Sequence, residues 1–395
     1  MRKISAPYIF PVSQPVVENG IIYLDDEGVI QGIERNNFSH GSDVEYFDGI
    51  ITPGFINAHC HLELSGMSGQ IEEGRHLHHF IDRLMILRRN QRDAAVNAIE
   101  HADRMMAANG IVAVADIANT SDAIAVKNRS NIFYHTFFEI MGTDDSKAAD
   151  LFSHAIEEVS SYSNISVTVH APYSCSKALI TIVSQYCDKQ GFPLSIHNQE
   201  SDGENALFIN GSGPIADMLK KLNTRPGVWI PSGQSSLLTV LPLLPAQSVT
   251  LLVHNTFSSP ADVINVIQSA KNVCWVLAPN ANLYIEKCLP DVYLLDEMKQ
   301  PIALGTDSMG SNKTLSILEE MKTLQHYFKC LSLSRLIKWA TLNGARALNM
   351  DKWLGSIDPG KAPGLNLIIN ADLQHLMLTS GSAVKVLVPA RKIKI

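Results

Sequence analysis

The sequence lacks the features that would place it in a membrane or in an oxidising compartment. Its 395 residues include only six cysteines, at positions 60, 175, 187, 274, 288 and 330, and none forms a CxxC pair. Few, scattered thiols in so long a chain indicate a reducing compartment rather than a disulfide framework. The N-terminus has no apolar run typical of a signal peptide, and no apolar stretch reaches the roughly 18 residues of a membrane span. We therefore expect a cytoplasmic protein with no membrane partner.

Positive charge is also scarce. Lysine and arginine number 32 against 39 aspartate and glutamate residues, which gives a formal net charge of −7. A nucleic-acid-binding domain is usually basic, with clustered lysine and arginine, so this composition argues against a nucleic-acid partner. Hydrophobic residues make up 46% of the chain and charged residues 18%, which excludes a disordered protein because a large apolar core can form.

Both ends of the chain are rich in strand signals. Residues 21–24 and 29–33 are β-prone and flank a turn that contains Asp and Gly, which predicts a hairpin. Near the C-terminus, residues 365–370 and 384–388 are apolar and β-prone as well. We expect the two strand-rich ends to pair as a small second domain.

The middle of the chain alternates short apolar runs with segments of helical spacing. Helical spacing occurs, for example, over residues 80–87 and 94–108. The strand candidates are residues 111–114, 132–140, 165–169, 194–196, 249–253, 273–277 and 302–304. Alternating strands and helices favour a parallel sheet, and about eight such units fit a (β/α)8 barrel. The predicted fold is therefore α/β: a (β/α)8 TIM barrel over residues 51–350 with a small β-sandwich formed by residues 1–50 plus 351–395.

Two histidines one residue apart end the first apolar run of the middle segment. Alternate side chains of a strand point to the same side, so His59 and His61 would project together, as two imidazole ligands of one metal must. An HxH pair alone is weak evidence, because exposed or hydrogen-bonded histidines would produce the same pattern.

Other predicted strands repeat this pattern and strengthen it. Apolar runs also end in a metal-ligating residue type at His170, His197, His254 and Asp307. Side chains at the C-terminal ends of barrel strands converge on one site. Three histidines and one aspartate make a plausible ligand set for Zn²⁺ or Fe²⁺.

Two further features are open to a functional and a structural interpretation. Glu200 follows His197 by three residues and could move protons beside a metal-bound water, or it could be a solvated loop residue. His76, His78 and His79 could form a lid over substrate, or a polar loop that enters a helix at Phe80.

The chain resembles the metal-dependent amidohydrolases over nearly its whole length. The resemblance rests on the segments PGFINAHCHLE, VHAPYSCS, IHNQES, LLVHNT, ALGTDSMGSN and ATLNGARAL followed by LGSIDPGK. These segments are most similar to the branch that holds the adenosine-type, S-adenosylhomocysteine, guanine and aminodeoxyfutalosine deaminases and the triazine chlorohydrolases. The segment after the first strand, HLELSGMSGQIEEGRHLHHFIDRL, is most like the aminodeoxyfutalosine deaminase group.

The resemblance implies a fold and a metal site. It implies a barrel with a β-sandwich built from both termini, and one divalent metal ion on His59, His61, His197 and Asp307. Zinc is the first expectation. Iron and manganese remain alternatives, because histidine and aspartate suit all three ions.

The resemblance also implies catalytic roles. Asp307 would act as ligand and base, Glu200 would shuttle protons, and His254 would steady the attacking water and the tetrahedral intermediate. The expected substrate contacts are His170, Glu63, Arg75 and Asn282. The reaction would be hydrolytic deamination of a heterocycle, of which a 6-aminopurine nucleoside with a modified 5′ group is the first choice. The expected partner is thus a small molecule, and a homodimer is compatible with the resemblance.

Some residues depart from the pattern and leave alternatives open. Relatives often carry a CPRSN-like stretch, which is here 278-APNAN-282, so the arginine is replaced by Asn280. The alternatives are hydrolysis of another C–N or C–Cl bond, as on guanine, cytosine or a triazine, and a silent relative that only binds metal and ligand. The intact Glu200, His254 and Asp307 argue against the silent relative.

Overall fold

The computed structural model describes residues 1–35, 43–90, 95–222 and 231–391. The strands in these residues are β1 (Arg2–Ser5), β2 (Tyr8–Ile9), β3 (Val17–Glu18), β4 (Gly20–Leu24), β5 (Ile30–Arg35), β6 (Glu45–Tyr46), β7 (Ile50–Pro53), β8 (Phe55–Cys60), β9 (Ile111–Ala118), β10 (Phe133–Ile140), β11 (Ile165–Val169), β12 (Leu194–Asn198), β13 (Thr250–His254), β14 (Val273–Leu277), β15 (Ile302–Leu304), β16 (Leu365–Ile369) and β17 (Ala383–Val388).

The helices lie mainly between the strands β8 to β16. The α-helices are α1 (His76–Asn90), α2 (Ala95–Ala108), α3 (Ile124–Lys127), α4 (Ala148–Val159), α5 (Lys177–Gln190), α6 (Asp202–Asn210), α7 (Pro214–Lys221), α8 (Ser236–Val240), α9 (Pro260–Ser269), α10 (Pro279–Glu286), α11 (Val292–Glu297), α12 (Ile317–Tyr327), α13 (Leu333–Ala340) and α14 (Leu342–Ala347). Short 3-10 helices span Leu62–Met67, Asp145–Lys147, Pro172–Ser174 and Leu241–Leu243.

Eight parallel strands form two four-stranded sheets. One has the order β11-β10-β9-β8 and the other the order β12-β13-β14-β15, so neighbours along the chain are neighbours in space. Strand β9 is buried along its whole length, as expected for a parallel sheet covered on both faces. The predicted α/β class with parallel sheets is confirmed, and the strands lie within a few residues of the apolar runs that predicted them.

Backbone hydrogen bonds connect the edge strands of one sheet to the edge strands of the other. The N–H of His197 donates to the carbonyl of His170 at 2.9 Å, which joins the ends of β12 and β11. The N–H groups of Thr306 and Asp307 both donate to the carbonyl of His59 at 3.0 Å, which joins the segment after β15 to β8. Gly305 permits this approach, because a Cβ there would lie 2.7 Å from the Cβ of His59.

The strands from the two chain termini form two further sheets. Their orders are β5-β4-β1-β6 and β17-β16-β7-β2-β3, so the C-terminal strands extend a sheet begun near the N-terminus. The predicted hairpin is confirmed as the antiparallel pair β4 and β5. Ile4 and Ile22 from the first sheet share one apolar cluster with Ile51, Leu365 and Leu367 from the second.

Helix α1 begins earlier than its apolar spacing predicts. It starts at His76 rather than near Phe80 because Glu286 supports its first turn: the N–H of Leu77 donates to Glu286 Oε1 at 2.8 Å, and His76 Nδ1 pairs with Oε2 at 2.9 Å. The three neighbouring histidines 76, 78 and 79 thus lie in a helix rather than in a loop.

No helix in the four described ranges is long and apolar enough to cross a membrane. The cysteines at positions 60, 175, 187 and 274 are buried. The predicted domain boundaries are not tested by these observations.

Candidate active site

Side chains from five parallel strands meet at one edge of the sheets. His59 lies in β8 and His197 in β12, while His254 is the last residue of β13. His61 directly follows β8, His170 follows β11, and Asp307 follows β15 by three residues. All of these residues sit at the carboxyl ends of their strands, the place where parallel α/β enzymes hold their chemistry.

Three of these histidines direct ring nitrogens at a common point. His59, His61 and His197 are buried, and one nitrogen from each lies within 4.8 Å of the others. The Nε2 atoms of His61 and His197 are 3.2 Å apart. Both ring nitrogens of His59 and the Nδ1 of His61 have no hydrogen-bond partner among the described residues. Buried nitrogens left unpaired are costly, so this arrangement fits imidazoles that bind a cation.

Asp307 completes the cluster with its carboxylate. Its Oδ1 lies 3.6 Å from Nε2 of His59 and 3.6 Å from Nε2 of His61. The hydroxyl of Ser311 donates to the other oxygen, Oδ2, at 2.6 Å and so fixes the orientation of the carboxylate. The backbone of Asp307 is left-handed, with φ of +57°, a conformation that costs energy in a non-glycine residue and that recurs at active sites.

Glu200 and His254 lie beside this cluster and face each other. Glu200 Oε1 is 3.6 Å from Nε2 of His254. Asn282 positions the histidine: its Oδ1 lies 3.2 Å from Nδ1, while its Nδ2 donates to Thr256 Oγ1 at 2.6 Å. The amide therefore presents its oxygen to His254, which places the ring proton on Nδ1 and leaves Nε2 as an acceptor towards Glu200.

Burial sets the protonation states of the site. It raises the pKa of Glu200 well above its usual range, which favours the protonated carboxyl. Burial lowers the pKa of His59 to about 4 and also lowers the pKa of His254, so these rings are neutral. Burial opposes ionisation of Asp307 as well, but its contact with His59 and the neighbouring imidazoles hold its pKa below its usual range. The site therefore combines an ionised and a protonated carboxyl group.

A cavity of about 320 Å³ opens next to the cluster. Its wall is mostly apolar and includes Leu64, Ile81, Leu84, Met85, Met141, Tyr173, Met218, Leu219 and Leu222. Polar side chains line one part of it, namely His61, Arg88, Asn119, Glu139, Thr143, His170 and Ser174. An apolar pocket with a few polar groups is the usual form of a small-molecule site.

The predicted substrate residues differ in their surroundings. His170 lines the cavity, and its ring lies 4.9 Å from that of His197. Glu63 accepts from Arg88 at 2.7 Å, from the N–H groups of Asn119 and Thr120, and from the hydroxyl of Thr120. These four donors occupy its carboxylate within the protein, so its predicted contact with substrate stays untested.

Arg75 and the histidines of helix α1 lie outside the cavity wall. Arg75 has a side chain that is 55% exposed and lies 3.5 Å from Glu72. The part of α1 that lines the cavity consists of Ile81, Leu84, Met85 and Arg88, one to three turns later than His76. The contacts of Arg75 and of the three histidines with substrate therefore remain predictions.

The structure explains the replacement of the expected arginine by Asn280. The amide and backbone N–H of Asn280 donate to the buried Glu320 at 3.0 and 2.9 Å, and Thr323 donates to its Oδ1 at 2.6 Å. Asn280 thus has a structural role at the start of α10. Asn282, two residues later, supports His254 instead.

Sequence reasoning missed five polar residues of the cavity wall: Arg88, Asn119, Glu139, Thr143 and Ser174. Glu139 could have been found, because it is a carboxylate at the C-terminal end of an apolar run, and Asp307 was identified by a carboxylate close to the end of another run. Arg88 comes from a helix, and Asn119 from the loop after β9, and neither position carries such a signal.

Comparisons with known proteins identify relatives of this chain. The curated aminodeoxyfutalosine deaminase of Deinococcus radiodurans is 26% identical over 336 residues, which are 80% of this chain and 77% of the relative. The 5′-deoxyadenosine deaminase of Methanococcus vannielii is 27% identical over 348 residues, or 82% and 76% of the two chains. These relatives are deaminases, as the sequence predicts for this chain.

Solved structures support the same fold. The alignment with the crystal structure of Helicobacter pylori aminofutalosine deaminase in complex with methylthio-coformycin covers 98% of both chains. It has a TM-score of 0.82 at 21% sequence identity.

The model of the Amidohydrolase family matches residues 50–388, which include all the residues of the cluster. The chain thus belongs to the Amidohydrolase family.

Proposed function

We propose that this protein is a metal-dependent deaminase that replaces the exocyclic amino group of a 6-aminopurine nucleoside with oxygen and releases ammonia. The observation that carries the proposal is the convergence of His59, His61, His197 and Asp307 beside the facing pair Glu200 and His254. The two curated relatives support the substrate class, because one is named for the deamination of aminodeoxyfutalosine and the other for the deamination of 5′-deoxyadenosine.

The donor set fits a divalent metal ion. His59, His61, His197 and Asp307 would hold it, with zinc as the first choice, since buried imidazole nitrogens and a carboxylate suit its coordination chemistry. A bound ion would supply Lewis-acid chemistry that makes a coordinated water acidic near neutral pH. The unpartnered nitrogens of His59 support this assignment.

The side chains around the cluster have the protonation states that deamination needs. Asp307, ionised and fixed by Ser311, accepts a proton from the attacking water. Glu200, protonated because it is buried, donates its proton to the ring nitrogen next to the amino-bearing carbon as the C–O bond forms. This protonation prevents negative charge from building up on the ring.

The second half of the reaction uses the same groups. Asp307 passes the proton that it took from the attacking water to the leaving amino group, and the C–N bond breaks. Ammonia departs as the hydroxyl of the adduct returns a proton to Glu200 and becomes the carbonyl of the product. His254, held by Asn282, accepts a hydrogen bond through Nε2 from the attacking water and then from the hydroxyl of the tetrahedral intermediate. His170 binds substrate from the wall of the cavity.

We also propose that the two parallel sheets close into a (β/α)8 barrel, and that the two terminal sheets form a β-sandwich. The hydrogen bonds between the ends of β11 and β12, and between β8 and the segment after β15, support closure. The apolar cluster shared by the terminal sheets supports the sandwich. A cytoplasmic location and a homodimer remain predictions.

A panel of substrates tests the proposed function. The metal-loaded protein should convert adenosine, 5′-deoxyadenosine or another 5′-modified adenosine to the hypoxanthine form, with loss of the adenine absorbance and release of one ammonia per nucleoside. Guanine, cytosine and an amino-triazine are tested in parallel as alternative substrates. Activity confined to these three would contradict the nucleoside assignment and leave the metal site standing.

A further inference from the structure

One buried carboxylate beside the cluster has no part in the mechanism above. Glu139 is the next-to-last residue of β10, and its side chain is only 3% exposed. It lines the cavity together with His61 and His170. Its carboxylate therefore borders the space into which a substrate bound at the cluster would extend.

Glu139 is held in place through one of its two carboxylate oxygens. Asn119 Nδ2 donates at 3.0 Å to Glu139 Oε2 and at 3.0 Å to the backbone oxygen of the same residue. Asn119 is fixed in turn, because Arg88 donates to its Oδ1 at 2.8 Å and Glu63 accepts its N–H at 3.1 Å. This series of contacts orients the carboxylate through Oε2 and the backbone oxygen of Glu139.

Oε1 of Glu139 has no hydrogen-bond partner among the residues that the structure describes. Nδ1 of His197 lies 3.6 Å away, but it points to the carbonyl of His170 at 2.9 Å. A buried carboxylate oxygen without a donor is costly, and a bound molecule that supplies a hydrogen would offset this cost.

A second metal ion does not account for this oxygen. Glu139, His170 and His197 do offer ligand atoms within 4.8 Å of one another. However, His197 uses Nδ1 for the carbonyl of His170 and directs Nε2 at His61. A second ion would be left with one carboxylate and one imidazole, fewer than the three or four protein ligands of a usual site.

The chemistry of Oε1 suits a ligand with hydroxyl groups. An ionised carboxylate only accepts hydrogen bonds, and those it accepts from hydroxyls are short and strong. Half of the other residues of the wall are leucine, isoleucine or methionine, whose side chains cannot pair with a hydroxyl. In a nucleoside, the group next to the reacting ring is a ribose, which carries neighbouring hydroxyls at C2′ and C3′.

We propose that Glu139 binds the vicinal ribose hydroxyls of the substrate through Oε1 and thereby selects ribonucleosides over deoxynucleosides. The inference rests on the proposed function, because it takes the substrate to be a nucleoside. Glu139 is then a specificity residue, with Asn119 and Arg88 as the residues that position it.

The test combines one isosteric variant with a change of sugar. Wild type and Glu139→Gln are compared on adenosine, 2′-deoxyadenosine and 3′-deoxyadenosine, or on 5′-deoxyadenosine and its 2′,5′-dideoxy analogue where adenosine is not turned over. Wild type should prefer the ribonucleoside in kcat/KM by roughly tenfold or more, as expected for hydrogen bonds to a charged group. The variant should lose roughly tenfold or more on the ribonucleoside and less than about threefold on at least one deoxynucleoside.

Controls separate recognition of the sugar from a structural role. Glu157→Gln makes the same change at a residue of α4 whose side chain is 79% exposed, and it should keep the wild-type preference. Glu139→Gln should retain the wild-type metal content. Equal losses on ribonucleosides and deoxynucleosides, or a wild type that does not discriminate between them, would overturn the proposal.

Failure of the proposed function gives a different result. If the metal-loaded wild type deaminates no nucleoside, calorimetric binding of adenosine and 2′-deoxyadenosine to both proteins still tests Glu139. Tighter binding of adenosine by wild type alone would support its role, and equal affinities would refute it.

Discussion

The chemistry of single residues at this site depends on their close neighbours as well as on burial. Glu200 and Asp307 are both buried carboxyl groups, yet the pKa of Glu200 is raised and that of Asp307 is lowered. The difference arises because imidazoles contact Asp307 closely, whereas burial dominates at Glu200. Two carboxyl groups with opposite protonation states can supply a base and an acid at one pH.

Glu200→Gln tests the role of Glu200 as acid. Glutamine keeps the shape of the side chain but cannot donate a carboxyl proton. We expect turnover to fall about 10²–10⁴-fold, as for other losses of a general acid–base group. Metal content and the affinity for a non-reacting nucleoside should stay at the wild-type level, measured by plasma emission and calorimetry. A loss of turnover below tenfold would show that Glu200 is not the acid and that its role is structural.

Most of the candidate cluster could be predicted from the sequence at the residue scale. Five of its residues each end an apolar run: His59, His61, His197, His254 and Asp307. The parallel arrangement of the strands brings these ends together. The supporting residues could not be predicted in this way. Ser311 and Asn282 act through contacts that exist only once the loops have folded.

At the scale of single elements, strand β10 shows why not every histidine in a strand belongs to the site. His135 lies in its middle, is buried, and places Nε2 at 2.8 Å from Ser166 Oγ of β11. Burial lowers the pKa of His135 to about 4. The position within the strand, rather than the residue type, distinguishes this core histidine from those at strand ends.

This strand gives a prediction about pH. An unfolded histidine titrates near pH 6.5, so between pH 6.5 and 4 the unfolded chain binds a proton that folded His135 does not. The contribution of neutral His135 to the free energy of unfolding is therefore fully present at higher pH, and it is lost as the pH falls through this window. Between pH 7.5 and 5 the loss from this one group should be about 2 kcal/mol.

His135→Gln isolates the effect, because glutamine can still pair with Ser166 but does not titrate. Urea unfolding of wild type and variant at pH 7.5 and 5 measures the difference. The variant should lose about 2 kcal/mol less than wild type over this range. Equal losses in both proteins would show that His135 is protonated in the fold or solvated.

Element boundaries followed from the sequence where local pattern decided them. Strands β11, β14 and β15 coincide with their predicted runs, because each run consists mainly of β-prone residues and nearly every residue in it is buried. The start of α1 was predicted four residues too late, since Glu286, far along the chain, supports its first turn. Apolar spacing carries no information about such a partner.

At the scale of the whole molecule, the two chain ends and the centre have separate tasks. The terminal strands share an apolar cluster of their own, and the parallel strands between them carry every residue of the candidate cluster. Alternation of strands and helices predicted this division. The identity of the substrate depends on the cavity wall, to which helices α1 and α7 contribute side chains that no strand pattern reveals.

The central claim is that one metal ion at these histidines makes the protein a nucleoside deaminase. Its most direct test is a titration of metal-stripped protein with zinc, during which ammonia released from 5′-deoxyadenosine or adenosine is measured. Activity should be absent without metal and should rise linearly to a break at about one equivalent per chain. The double variant His59→Ala with His61→Ala, as control, should neither bind the ion tightly nor release ammonia. Full activity of the stripped protein, or full metal retention by the double variant, would contradict the account.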